Sequence, residues 1–363
     1  MTSHIVTGEF PPQRGGVSDY TYHLAEGLAR RGREVHIWAP GTQPGVTLPI
    51  AVHLHPLPRG FGLRWLRALD RGLSAYSGEQ MILVQYVPHM YGWKSMNLPF
   101  CCWLARLRRN VWVMFHEVAF PFLTGQPLRH RVLATVHRLM ARIVLSGANR
   151  SFTSIEPYQR MLQRVAPKAR PELLRIFSNV SFREIPSHRV PRASDSRFVI
   201  GTFSNFQPEI CQLLAKALPV ILENPIFHIR LVGPGENFVL EFVRRFPQFR
   251  DRISTTGRLD VANVGLHLEN CDALLQLYPD GACGTFIAAL ASGVPVVSTA
   301  GHLTEFIFKR SGAIAFSDPE PLAIRETLEK VHADPALRPH DWRRGAPAVR
   351  RRVQYRRDFG EAP

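Results

Sequence analysis

Apolar and polar positions come in blocks along this chain, and the blocks switch period. Residues 4–7 form a short apolar run that predicts a strand. Residues 19–31 repeat apolar side chains at helical spacing and stop at Gly32, and residues 34–38 return to a strand pattern. Strand, glycine-bearing loop, helix and strand in that order form the opening βαβ unit of a doubly wound sheet. Residues 81–87 and 111–115 read as buried strands, 98–107 and 133–145 as helices, and 150–154 as a further short strand. A stretch rich in Pro, Ser and Arg follows at 185–196. Strand patterns then recur at 197–203, 227–232, 253–257, 273–277 and 294–298. Repeated βα units with near-continuous apolar strands predict an α/β chain with parallel sheets covered by helices. The expected organisation is an N-terminal Rossmann-like domain at 1–184, a linker at 185–196, a second Rossmann-like domain at 197–340 and a basic tail at 341–363.

Length and composition allow this. The 363 residues are 45% hydrophobic, enough for two separate cores. No apolar run reaches the ~20 residues that span a bilayer. The first strand pattern has no charged segment and apolar h-region before it, so no signal peptide is expected. The five cysteines, Cys101, Cys102, Cys211, Cys271 and Cys283, lack metal-ligand spacing and fall in or beside apolar sequence. Buried free thiols in a reducing cytoplasm are expected.

Net charge alters the picture. At +16 it suits an arginine-rich background, an anionic membrane face or nucleic acid. The basic residues are spread over Arg59, Arg64, Arg67 and Arg71, then Arg106, Arg108 and Arg109, with the densest run between 343 and 357. No helix-turn-helix, zinc-finger or RNA-binding pattern accompanies them. The membrane face ranks first, composition next, and nucleic acid is not expected as a partner. Leu63, Trp65, Leu66 and Leu69 share one helical face, with Arg64, Arg67 and Arg71 along its edge. That helix suits either an ordinary surface or an acceptor-side, membrane-facing position.

In open α/β sheets ligands bind beyond the carboxyl ends of the strands, which singles out a few loops. Gly15 and Gly16 precede a helix, where bare backbone and the helix N-terminus suit a phosphate. They lack the third glycine of a dinucleotide fingerprint and the Lys-Ser/Thr of a P-loop. His116 and Glu117 directly follow the strand at 111–115. Thr153 and Ser154 stand where a cap is expected for the helix starting near Pro157. No H-E-x-x-H, Asp-x-Asp or cysteine pair is present, and no metal site is expected.

The phrase built from Pro11, Pro12, Gly15, Gly16, Val17, Tyr20, Leu24, Ala25, Leu28, Arg31, Gly32, Glu34, Val35 and Pro40 resembles the start of family 4 glycosyltransferases. In the second half, Asp272, Pro279, Asp280 and Gly281 precede Ala289, Ala291, Gly293, Pro295, Val296 and Val297, with Glu305 beyond. This resembles the donor-binding core of the same family, and Ser178, Asn179 and Val180 resemble the turn that closes its N-terminal domain. The resemblance implies the GT-B fold: α/β, two Rossmann-like domains with parallel sheets facing across a cleft. It implies a retaining, metal-independent transfer with a nucleotide sugar as co-substrate and no other cofactor. His116 would approach the donor sugar, Glu117 would orient it, and Asp280 would accept sugar hydrogen bonds. Arg14, Gly15 and Gly16 would cradle phosphate. Gly281, Gly284, Thr285 and Glu305 would hold the donor. Ser204 and Asn205 stand where the family usually offers cations to the diphosphate, and Arg258 is the replacement expected to pair with it.

The family usually has a Glu where this chain has Ala288, and an Arg and a Lys after Gly201 where it has none. These departures leave a second expectation open: a catalytically degenerate GT-B protein that partners an active glycosyltransferase. A nucleotide-sugar epimerase and a nucleic-acid binder rank lower. The expected acceptor is a glycan, a lipid-linked glycan or a polysaccharide precursor, met in the cytoplasm or peripherally at the cytoplasmic membrane face.

Overall fold

The computed structural model describes residues 2–13, 15–41, 47–122, 125–180, 197–277, 284–299 and 314–334. The chain divides into two compact units, Met1–Ile176 and Phe177–Pro363.

The first unit is built on a seven-stranded sheet in the order β3-β2-β1-β4-β5-β6-β7, every pair parallel. The strands are β1 (Thr2–Val6), β2 (Val35–Pro40), β3 (Val52–Leu57), β4 (Gln80–Tyr86), β5 (Asn110–Phe115), β6 (Arg150–Thr153) and β7 (Glu172–Leu173). Helices α1 (Gly16–Ala29), α2 (Leu63–Ser74), α3 (Leu98–Arg106), α4 (Leu128–Gly147) and α5 (Glu156–Val165) connect them. β4 lies between β1 and β5, so Met81, Ile82, Leu83 and Val84 are all buried and the strand reads as an unbroken apolar run. α2 keeps a buried and a basic face, with one change in the apolar set: Trp65, Leu66, Leu69 and Leu73 are buried, Leu63 in the first turn is exposed, and Arg64, Arg67 and Arg71 are exposed. Gly72 lets this helix sit against the indole of Trp38, since a Cβ there would lie 2.3 Å from the ring. Gly147 does the same for α3 and α4, where a Cβ would meet Ala105 Cα at 2.4 Å.

Two local expectations are corrected. The first helix starts at Gly16 rather than residue 19, because a carboxylate from outside the helix holds its first amides, as described below. Thr153 and Ser154 do not cap α5: its N-cap is Ile155, with no side-chain hydrogen bond. Both residues are instead buried at the end of β6.

The second unit has a six-stranded parallel sheet in the order β10-β9-β8-β11-β12-β13. Its strands are β8 (Phe198–Phe203), β9 (Phe227–Val232), β10 (Ile253–Thr255), β11 (Ala273–Gln276), β12 (Val296–Thr299) and β13 (Ile314–Ser317). Its helices are α6 (Pro208–Ile221), α7 (Glu236–Arg245), α8 (Val261–Glu269), α9 (Gly284–Ala291) and α10 (Pro321–Ala333). Ile200, Leu218, Leu231, Leu275 and Val297 belong to its core. Asp272 ties the switch between β8 and β11: its Oδ2 accepts from Val199 N at 2.7 Å, and its own N–H donates to Val199 O at 2.8 Å. Asp260 caps α8 through the Asn263 amide at 2.8 Å. The expected linker at 185–196 and the basic tail at 341–363 lie outside the described residues. Cys101, Cys102, Cys211 and Cys271 are free thiols, and Cys101 and Cys271 are buried.

Candidate functional site

Both sheets reverse strand order next to their first strand, between β1 and β4 and between β8 and β11. Side chains at the carboxyl ends of these strands are therefore the ones a ligand can reach.

In the first unit the loop after β1 carries the glycine pair. Its geometry differs from an open phosphate cradle. Glu9, six residues before Gly15, turns its carboxylate onto the N-terminus of α1. Oε1 accepts from Val17 N at 3.1 Å and from Ser18 N at 2.9 Å. The backbone of Glu9 is fixed by Thr7, whose hydroxyl donates to Glu9 O at 2.8 Å. Ser18 Oγ donates to Gln13 O at 2.6 Å and closes the loop. Gly15 has an extended φ of −178°, open to any residue. Its restriction is space, because a Cβ would lie 2.1 Å from Glu9 Oε1. Burial pushes the Glu9 carboxyl above its ordinary pKa, against the lowering effect of the two amides. Anion binding at this helix start is thus supplied from within the chain.

His116 leaves the end of β5, and its amide donates to Tyr86 O at 3.0 Å. The half-buried ring meets Tyr20 edge-on, with centroids 4.9 Å apart. Its Nε2–H donates to Gln85 Oε1 at 2.6 Å. Burial lowers the His116 pKa to about 4. At neutral pH the ring is therefore neutral, with the proton on Nε2 and Nδ1 as its acceptor. It can accept a hydrogen bond from a hydroxyl but cannot serve as a general acid there. Glu117 is exposed, and its ion pair is with His89, Nδ1 to Oε2 at 3.4 Å. That hydrogen bond raises the His89 pKa. The hydrogen-bonding partner of His116 is thus Gln85, a residue sequence reasoning missed. Its signal was present: one amide inside the apolar run at 81–87.

In the second unit, Ser204 is buried at the end of β8, and its Oγ accepts from Phe206 N at 3.1 Å. Phe206 takes a left-handed φ of 48°. Gly233 lies against the same turn, where a Cβ would come within 2.2 Å of Ser204 O. Asn205 beside it is exposed, and so is Arg258 after β10. Gly284 opens α9, and Ala288 on that helix is fully buried. Gln276, at the carboxyl end of β11, is fully buried, and neither end of its amide has a partner. Arg14, Asp280, Gly281 and Glu305, and the side chain of Thr285, lie outside the described residues. Among the described residues no group of three or more His, Cys, Asp or Glu is arranged to hold a metal ion, and no helix is long and apolar enough to cross a membrane.

Residues 15–176 match the family model of a glycosyl transferase 4-like domain, and residues 197–334 match that of glycosyl transferases group 1. No curated protein matches the chain in sequence. Among solved structures, the fold resembles sucrose-phosphate synthase from Thermosynechococcus elongatus at 15% identity and a TM-score of 0.72, over 96% of this chain and 94% of that one. It resembles HepE from Anabaena, solved with UDP and glucose, at 13% identity and a TM-score of 0.64, over 97% and 95% of the two chains. It also resembles WaaG, a glycosyltransferase involved in lipopolysaccharide biosynthesis, at 13% identity and a TM-score of 0.63, over 98% and 96%.

Proposed function

Since the chain belongs to the GT-B glycosyltransferases resembling family 4, with a glycosyl transferase 4-like domain followed by a group 1 domain, we propose that it moves a sugar from a nucleotide-sugar donor to a glycan or lipid-linked acceptor. The observation that carries this reading is His116, at the carboxyl end of β5, held neutral with Nδ1 as a hydrogen-bond acceptor. In the proposed reaction that atom accepts a hydrogen bond from a hydroxyl of the donor sugar or acceptor and fixes its orientation.

Charge on the leaving diphosphate has to be stabilised as the glycosidic bond to it breaks. Glu9 already fills the start of α1, so that task falls to the second unit. Asn205, Arg258 and the N-terminus of α9 at Gly284 are the proposed contributors. The proposed transfer retains anomeric configuration and needs no metal ion, as the family resemblance implies. The capture of HepE with UDP and glucose supports a nucleoside diphosphate sugar as the donor class.

A lipid-linked acceptor is favoured by the loops beyond β3 and β4. Leu63 is 59% exposed and Trp93 50% exposed. Trp93 Nε1 donates to Phe61 O at 3.2 Å, which brings the indole to the start of α2. Arg59, Arg64, Arg67 and Lys94 are exposed on these same segments. Apolar tips within a basic rim suit the headgroup region of an anionic bilayer.

One observation favours the degenerate reading. Ala288 is fully buried in α9, where the family usually carries a Glu. A thermal-shift screen of purified protein against UDP-, GDP-, ADP- and dTDP-sugars separates the two. A donor at ~100 times its Kd stabilises by about 2.7 kcal/mol, which a melting curve resolves. A selective shift with turnover that His116→Ala abolishes is the expected result. Folded protein that shifts with none of these donors would leave the partner reading in its place.

A further inference from the structure

Gln85 lies on β4, at the centre of the first sheet, between β1 and β5. It is fully buried in a strand that is otherwise apolar at Met81, Ile82, Leu83 and Val84. An amide in that position is costly unless it is bonded. Oε1 takes the short bond from His116 Nε2–H at 2.6 Å, while Nε2 is buried without a partner. The fold leaves half of this amide unsatisfied, which argues that the bonded half has a use. The backbone around it is fixed: Gln85 O accepts from Tyr91 Oη at 2.6 Å, and the next residue's carbonyl, Tyr86 O, accepts from the His116 amide. Both ends of the Gln85–His116 bond are therefore anchored to the same two strands.

We propose that Gln85 is a positioning residue for sugar transfer. It holds His116 as the neutral Nε2–H tautomer, so that Nδ1 meets the reacting hydroxyl as an acceptor. This rests on the reading that His116 contacts substrate. An amide suits the task where a carboxylate does not. A buried carboxylate at 85 would stabilise imidazolium and take away the acceptor. An apolar residue would leave both tautomers accessible. The charged groups near the ring are few: Glu117 raises its pKa, and burial outweighs that.

The test pairs a spectroscopic readout with kinetics on the full chain. In 15N-labelled protein, long-range imidazole spectra should show His116 protonated on Nε2 between pH 6 and 9, with His116→Gln identifying the signal. Gln85→Met should mix the tautomers and lower kcat by about ten- to a hundredfold, with KM little changed. Gln85→Glu should move the acid limb of the pH–rate profile upward, with activity returning as pH rises and the ring loses its proton. Circular-dichroism melts identify any variant that fails to fold, and either variant suffices. An unchanged tautomer in Gln85→Met overturns the proposal. So does an altered tautomer with wild-type kcat. Wild-type turnover in His116→Ala is a different failure, and it removes the substrate role of His116 itself.

Discussion

Glu9 and Gly15 act as one unit at the residue scale. The carboxylate satisfies two amides that α1 would otherwise leave open, and it needs the volume that a side chain at 15 would fill. Glu9→Ala should cost about 1–2 kcal/mol, as the loss of a helix cap does. Gly15→Ala should cost a similar amount, by pushing the carboxylate off the same amides. The double variant should then be little worse than either single one, and chemical denaturation of all four proteins measures the cycle. Additive losses would show that the two residues act separately. A glycine pair ahead of a helix was legible in the sequence, where it reads as a cradle for a ligand phosphate; in the structure a carboxylate of the chain itself holds the first amides of that helix. What the sequence hid was the source of that anion, because a Glu six residues earlier reaches the helix only after the chain turns at Pro11 and Pro12. Gln85 showed as a lone amide in an apolar run, but its use was hidden for a similar reason: its partner His116 is 31 residues away and arrives only through the β4–β5 pairing.

At the scale of elements, strand register builds a histidine ladder at the opposite, amino-terminal end of the first sheet. His4 pairs with His36 across β1 and β2, and His36 with His53 across β2 and β3, so the three rings share a face. They stack at centroid distances of 5.1 and 5.0 Å. His55 joins through Nε2, 2.9 Å from His36 Nδ1, and Tyr76 Oη lies 3.2 Å from that same Nδ1. Trp38 Nε1–H donates to His4 Nδ1 at 3.2 Å. Burial lowers the His4 pKa to about 4, with positive charge on His36, His55 and Arg109 adding to it. Burial also lowers His36 and His55. Between pH 6.5 and 4 the unfolded chain therefore binds protons that the folded chain refuses. Stability is full above that window and falls as the pH drops through it. For His4 alone the loss is on the order of 3 kcal/mol by pH 4. Melting temperatures from pH 7.5 down to 4.5 should drop steeply, and His4→Gln should flatten the curve. Each histidine was visible as a letter in the sequence, but their convergence depends on parallel register across three strands, which periodicity alone does not set. The elements themselves were legible because their apolar runs are long. Their ends were not, since α1 begins where Glu9 caps it.

At the scale of the whole molecule, the net charge of +16 and the apolar tips beyond β3 and β4 give the proposed lipid-linked acceptor a test. Each basic residue near an anionic bilayer is worth about 1 kcal/mol. The protein should therefore sediment with phosphatidylglycerol vesicles, remain free with phosphatidylcholine vesicles, and come off as salt rises. Reversing Arg64 and Arg67 to Glu should weaken that partitioning by at least about tenfold, while transfer to a water-soluble acceptor persists. Equal binding to both vesicle types would remove charge as its cause. The strand order of the first unit also bears on how the chain is made. β1 sits in the middle of its sheet, yet its partner β4 begins only at Gln80. During synthesis one edge of β1 can pair once β2 has left the ribosome at Pro40, whereas the other must wait for some forty further residues. Through that interval β1 presents an open row of amides and carbonyls to any passing chain. Placing β1 at the switch in strand order thus leaves the nascent chain with an unpaired central strand until β4 emerges, an interval in which slow elongation or a lack of chaperones favours mispairing.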